Sequence, residues 1–277
     1  MVNPWLGMGL VLAAFGVLMG GLRASRRGRS PEPELLRKLL HAGMGLVTLA
    51  LPWLFRTAWP VLLLAGAFIA GLTALRASSK MRRRFGGVID GVARESLGEI
   101  YFPLGVGLVF LLSGGDPIRF CVPVLILALA DPAAALIGAR YGHTRYAALG
   151  GEKSVEGSVA FFTVAFLSTE IALLLFTGTE RSETVLISLA LALAATLLEA
   201  VAGRGSDNLF VPVGGFAVLS SLLELDLSAL VAGLGVTALL VAVCVLVCRW
   251  RNLGRETSAK HDGFPGRPLG RLGGLWR

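Results

Sequence analysis

A few acids and bases stand in sequence that is otherwise almost wholly apolar, and their spacing says what chemistry they could do. Asp131 closes one apolar run and is followed by Ala134, Ala135, Gly138 and Gly142. Those offsets share one face of a helix. The face carries an acid at one end and only small side chains beyond it, so another backbone or a ligand can come close. The stretch ends in Glu152–Lys153–Ser154–Val155–Glu156–Gly157, a turn that starts the next apolar run. Ser154 is placed to cap that helix, with Glu156 in its first turn. Free amides at a helix start make an anion site, and Lys153 would serve it as a point charge.

Upstream, Glu34, Arg37, Lys38 and His41 form one polar stripe, with Leu35, Leu36, Leu39 and Leu40 opposite. Arg37 and Lys38 suit a snorkelling helix start, or a grip on phosphate. His41, one turn deeper on the same face, could donate a hydrogen bond or take a proton. Magnesium bound to substrate phosphates needs one or two carboxylates; Asp131 and Asp207 are the candidates. Plainer readings stand beside these. Asp131 before Pro132 could be a helix-ending cap, and the loop from Gly203 to Asn208 a simple Asx turn. The chain has no GxxxxGKS/T, so it is no P-loop protein. Together the residues predict a nucleotide-and-metal site at a membrane surface.

The elements that must position these residues follow from composition. The 277 residues are 55% hydrophobic and only 16% charged, where a soluble protein has about 25% charged. The apolar runs do not alternate, so they predict helices rather than barrel strands. The expected fold is an all-α, polytopic membrane bundle with about nine spans: residues 4–22, 39–55, 59–75, 99–113, 119–138, 158–177, 184–201, 209–224 and 228–248. No basic residue precedes the first span, which argues against a cleaved signal peptide. Of the 26 Lys and Arg, 23 fall in alternate loops and the tail. The positive-inside rule then puts the N-terminus outside and the C-terminus in the cytoplasm. The net charge of +8 is thereby a matter of topology and anionic lipid rather than of nucleic acid. Cys121, Cys244 and Cys248 read as packing residues. Residues 1–250 are expected to form one membrane domain, and 251–277 a disordered basic tail.

Set on this frame, the ionisable residues gather at one side. Glu34, Arg37, Lys38 and His41 enter the second span, and Arg94, Glu95 and Glu99 the fourth. Asp131 leaves the fifth, Lys153 and Glu156 enter the sixth, Glu199 leaves the seventh, and Asp207 and Asn208 enter the eighth. Polar residues in membrane segments are functional candidates by default, and these converge on the cytoplasmic side.

Five motifs in order resemble the CTP-dependent polyprenol kinases, the family of phytol and dolichol kinases. They are Arg37–Lys38–Leu39–Leu40–His41, then Gly98–Glu99–Ile100–Tyr101–Phe102–Pro103, then Asp131–Pro132–Ala133–Ala134 with Gly138 and Gly142. Glu152–Lys153–Ser154–Val155–Glu156–Gly157 follows, and last Glu199 with Asp207–Asn208–Leu209–Phe210–Val211–Pro212. The resemblance covers about residues 34–215. It implies transfer of the γ-phosphate of CTP to a long-chain isoprenoid alcohol, with a divalent metal such as Mg2+. The family's CTP loop falls on Asp131, Ala134, Gly138, Gly142, Lys153, Ser154, Glu156 and Gly157. The family commonly has two lysines where this chain has Glu152–Lys153, and Thr where it has Ser154. The spacing from Gly142 is also one residue longer. These departures bear on nucleotide affinity and choice more than on the reaction class.

The same loop is similar to that of phosphatidate cytidylyltransferase, which also uses CTP and is the alternative enzyme. The Arg37–Lys38 to His41 stripe and the Gly203–Asn208 loop favour the kinases. A transporter is a lesser alternative, disfavoured because the charges sit at one face rather than at the midplane. The expected kinase site has Asp131 and Asp207 on metal, Lys153 on the triphosphate, and Arg37 and Lys38 on the transferring group. His41, Glu99 or Glu95 would accept the alcohol proton. Its partners are CTP, an isoprenoid alcohol and membrane lipid, with no nucleic acid.

Overall fold

The computed structural model describes residues 2–25, 33–77, 97–148, 151–203 and 205–261. Within them the chain is almost entirely helical. The helices are α1 (Pro4–Ser25), α2 (Pro33–Thr48), the short α3 (Leu51–Leu54), α4 (Trp59–Ala77), α5 (Gly98–Leu112) and α6 (Pro117–Tyr141). Two strands follow, β1 (Arg145–Ala148) and β2 (Gly151–Ser154), and then α7 (Val155–Phe176), α8 (Arg181–Val201), α9 (Asp207–Leu222) and α10 (Leu227–His261).

Local chemistry fixes the helix starts. Before α6 the Asp116 carboxylate accepts the Ile118 and Arg119 N–H groups, and Pro117 fits the first helical position. The turn leading to it needs left-handed backbone at Gly114 and Gly115, φ 60° and 93°, which glycine adopts without strain. Before α7, Ser154 accepts the Gly157 N–H. Before α10, Asp226 accepts from the Ala229 N–H and the Ser228 hydroxyl, which hold its carboxyl below the usual range.

α6 is the central element. Its most apolar stretch is 61% buried, against 6% for that of α10, and it packs on α2, α5, α7 and α9. Phe120, Ile126 and Leu127 of α6 lie fully buried with Phe161, Leu173, Leu191 and Leu219 of its neighbours. Two glycines let backbones meet. A Cβ on Gly45 of α2 would stand 2.3 Å from the Ala128 side chain on α6. One on Gly105 of α5 would stand 2.6 Å from the Asn208 carbonyl oxygen on α9.

Each expected span coincides with an apolar helix. Among the described residues, six segments are long and apolar enough to cross a membrane: α1, α2 with α3, α6, α7, α8 and the first part of α10. The apolar helices in α4, α5 and α9 are shorter. As the shared face from Asp131 to Gly142 requires, α6 continues through Pro132 to Tyr141, so Asp131 sits about 15 Å inside the C-terminal end. Two features differ from the sequence reading. The Glu152–Lys153–Ser154 turn is strand, paired antiparallel so that Lys153 faces Tyr146. And α10 runs on to His261, because residues incompatible with helix cluster only beyond it.

The Gly45 contact gives a direct check. Gly45→Leu should push α2 from α6 and lower thermal stability in detergent by about 1–3 kcal/mol, the usual cost of overpacking. Gly66→Leu, where nothing lies within 4 Å, should change it by less than about 0.5 kcal/mol. Equal effects at both positions would remove the close-approach argument.

Candidate active site

The stripe on α2 and the acid on α6 find each other. Lys38, His41 and Gly45 share a helix face, and the Gly45 contact presses that face onto α6. Lys38 Nζ donates to both Asp131 oxygens, at 2.8 and 3.1 Å, with both side chains about a tenth exposed. His41 Nε2 lies 3.4 Å from the Leu127 carbonyl oxygen and 3.7 Å from Asp131 Oδ2. The edge of its ring meets Phe102 of α5, with centroids 5.2 Å apart.

A second ion pair closes the other side. Lys153 reaches from β2 to the end of α8 and donates to the Glu199 carboxylate and carbonyl oxygens. The second Glu199 oxygen, Oε2, is buried with no hydrogen-bond partner among the described residues. Asp207, at the start of α9, accepts the Asn208 N–H at 3.0 Å. It lies in electrostatic reach of Asp131, Lys153 and Lys38, and among the described residues it has no ion-pair partner. Asn208 Nδ2 donates to the Gly98 carbonyl at 2.8 Å, which pins the start of α9 to the start of α5. Segments far apart in sequence thus bring Lys38, His41, Asp131, Lys153, Glu199 and Asp207 within electrostatic reach of one another.

The remaining predicted residues separate into two groups. The small face of α6 is taken by backbone. A Cβ on Gly138 would stand 2.9 Å from Ser154 Oγ, and one on Gly157 would stand 2.9 Å from the Ala134 carbonyl oxygen. Gly142 caps α6 and lies as tightly on Ser154. Ala134, Gly138, Gly142, Ser154 and Gly157 therefore lock the hairpin and the start of α7 onto α6. Glu156 is half-buried and accepts the His143 and Thr144 N–H groups, which fixes the chain leaving α6. Arg37 is exposed but acts electrostatically on Asp131 and Glu99. Glu99 pairs with Arg76 at 3.4 Å and stands outside the cluster of ion pairs. Glu95 lies outside the described residues.

Two partners escaped the sequence reading. Arg76 was counted only as a loop charge. Glu199 was singled out without a role, although it is the one acid in the last turns of α8. The hairpin did leave a signal in Gly150–Gly151, a pair typical of tight turns, and Gly151 has φ 137°. The hairpin also explains the Glu152 departure. Successive strand residues face opposite ways, so Glu152 points outward, 3.9 Å from Arg145, while Lys153 turns in.

Among the described residues no three of His, Cys, Asp and Glu converge as a self-contained metal site. Magnesium held through substrate phosphates needs only one or two carboxylates; Asp207, with Asp131 near it, would supply them.

Fold and site define a helical membrane protein whose acids and bases meet at one end of the bundle. No family model matches the chain, and no solved structure matches it. It is similar to phytol kinase of Synechocystis sp., with 33% identity over 213 residues, 76% of this chain and 88% of that protein. The chain belongs to the phytol kinase, or polyprenol kinase-like, family.

The buried pair has a thermodynamic signature. Asp131→Asn or Lys38→Met alone should each destabilise by about 3–5 kcal/mol, since each strands its partner's buried polar group. The double variant should recover much of that loss. Thermal unfolding in detergent across the four proteins gives the coupling energy; strict additivity would mean the two groups do not support each other.

Proposed function

We propose that this protein is a membrane kinase. It transfers the γ-phosphate of CTP to the hydroxyl of a lipophilic isoprenoid alcohol of the phytol or geranylgeraniol kind, giving a prenyl monophosphate. The observation that carries the reading is the meeting of Lys38, His41, Asp131, Lys153, Glu199 and Asp207 at one end of an apolar bundle. It occurs in a chain 33% identical to a phytol kinase.

Phosphoryl transfer asks a protein for position and charge neutralisation more than for covalent chemistry. The alcohol oxygen attacks the γ-phosphorus, the bond from that phosphorus to the β–γ bridging oxygen breaks, and CDP leaves with its electron pair. His41 or Glu99 takes the hydroxyl proton. Lys153 holds the triphosphate as a point charge, and Glu199 aims it. Lys38 and Arg37 face the group in flight. Asp131 and Asp207 would hold Mg2+, which when bound neutralises phosphate charge.

The reading includes a topology of nine spans, an outer N-terminus and a site facing the cytoplasm, supported by the 23 of 26 basic residues in alternate loops and tail. A fluorescent protein fused to the C-terminus should light up in the cytoplasm; a dark fusion active only as an exported reporter would reverse the orientation.

The deciding assay uses purified protein, magnesium and γ-labelled CTP, with phytol, geranylgeraniol, farnesol and phosphatidate in turn. Label should enter the lipid phase with a prenyl alcohol. Pyrophosphate release with a cytidine-lipid made from phosphatidate would replace the kinase by a cytidylyltransferase. Asp207→Asn should lower turnover by about 100-fold or more, with little loss of thermal stability, because no ion-pair partner among the described residues is stranded. Near-normal turnover would remove Asp207 from the site.

A further inference from the structure

Lys153 stands on a hairpin too small to hold itself. Two four-residue strands are marginal on their own, so the direction of a side chain on β2 is set by what the hairpin leans on. Its base is tied to the start of α7. The Thr144 carbonyl accepts the Val155 N–H at 2.9 Å, and Glu156 accepts the Thr144 N–H at 3.1 Å. A further tie lies out along β1: the Tyr146 and Ser158 hydroxyls are hydrogen-bonded at 2.7 Å.

Register makes that tie specific. Tyr146 is the direct cross-strand partner of Lys153. Directly opposed residues share one face of a strand pair, with Cβ atoms about 5 Å apart. Tyr146 therefore stands on the inward face beside Lys153, and both are half-buried, while Arg145 and Glu152 meet on the outer face. The rung of the ladder that carries Lys153 is thus fastened to α7. At its tip the same lysine is fastened to Glu199 on α8. A lysine stem is flexible, so holding the tip alone leaves the root free to drift. The hydroxyl pair removes that freedom.

We propose that Tyr146, through its bond to Ser158, is a positioning residue for Lys153: the hydroxyl pair fixes the strand beneath the lysine and keeps its ammonium at the triphosphate site. The assignment rests on the kinase reading, in which Lys153 holds the triphosphate. It adds two residues that act through that lysine.

Two readouts on the full chain in nanodiscs test it. The first needs no nucleotide. Lysines are acetylated with trace acetic anhydride, and the rate at Lys153 is read by peptide mass spectrometry, with buried Lys38 as the internal reference. Tyr146→Phe keeps the ring and removes the hydroxyl; Ser158→Ala removes its partner. Each should raise the Lys153 rate about threefold to tenfold, the worth of one hydrogen bond, and the double variant should raise it no further. An unchanged Lys153 rate in both single variants would overturn the assignment. So would an equal rise at Lys38, the mark of general loosening. The second readout is kinetic. Tyr146→Phe should raise KM for CTP by a similar factor, with kcat and KM for geranylgeraniol unchanged. In a Lys153→Ala background the same substitution should do nothing more; an undiminished effect there would mean that Tyr146 does not act through Lys153. Faster labelling of Lys153, with KM for CTP unmoved by Tyr146→Phe and by Lys153→Ala alike, would leave the positioning role standing and take Lys153 off the triphosphate.

Discussion

An ammonium group cannot be left alone among packed helices, and the pairing of Lys38 with Asp131 is the constraint from which much of this architecture follows. The two charges meet at 2.8 Å where α2 and α6 approach until their backbones nearly touch. Gly45 on α2, opposite Ala128 on α6, permits that distance. The approach carries His41 onto the same patch of α6, and His41 in turn brings Phe102 and with it α5. Central placement of α6 is thus tied to the acid it carries: the helix with the buried carboxylate is the one the others surround. Such a pair adds little net stability over a hydrocarbon replacement. Its persistence in so apolar a bundle is better explained by chemistry than by folding.

The second constraint is the junction of α6, β1–β2 and α7. Here small residues serve backbone contact. Ala134, Gly138 and Gly157 bring the start of α7 against α6, and the Ser154 hydroxyl fills the space between while capping its own helix. That junction directs Lys153 toward Glu199. The residues that resemble a nucleotide loop therefore divide the labour: some build the platform, and Lys153 is the charge mounted on it.

How much of this was legible depended on the range of the signal. The polar stripe of α2 was readable because helical period places Lys38 and His41 on one face whatever surrounds them. The face descending from Asp131 was readable for the same reason, but not its occupant, since a backbone and a ligand ask for the same small side chains. Pro132 did not interrupt that face, because a packed membrane helix tolerates proline when neighbours restrain the chain. The hairpin was overlooked because two four-residue strands carry little pattern, though the glycine pair between them marked the turn. The partner of Lys153 was not readable at all. Nothing near position 153 names Glu199, and only the packing of α7 on α8 brings them together.

The contacts that define the site also interlock along the chain. Lys38 and Asp131 are 93 residues apart, Asn208 and Gly98 are 110 apart, and Lys153 and Glu199 are 46 apart. The first interval overlaps the second, and the third lies within the second. During synthesis at a membrane the site therefore closes in stages, each long after its first partner has been made. Lys38 waits unpaired until α6 brings Asp131, Lys153 waits until the end of α8 brings Glu199, and the start of α5 waits until α9 brings Asn208. A ribosome that stops before α9 leaves both ion pairs formed but the site without Asp207.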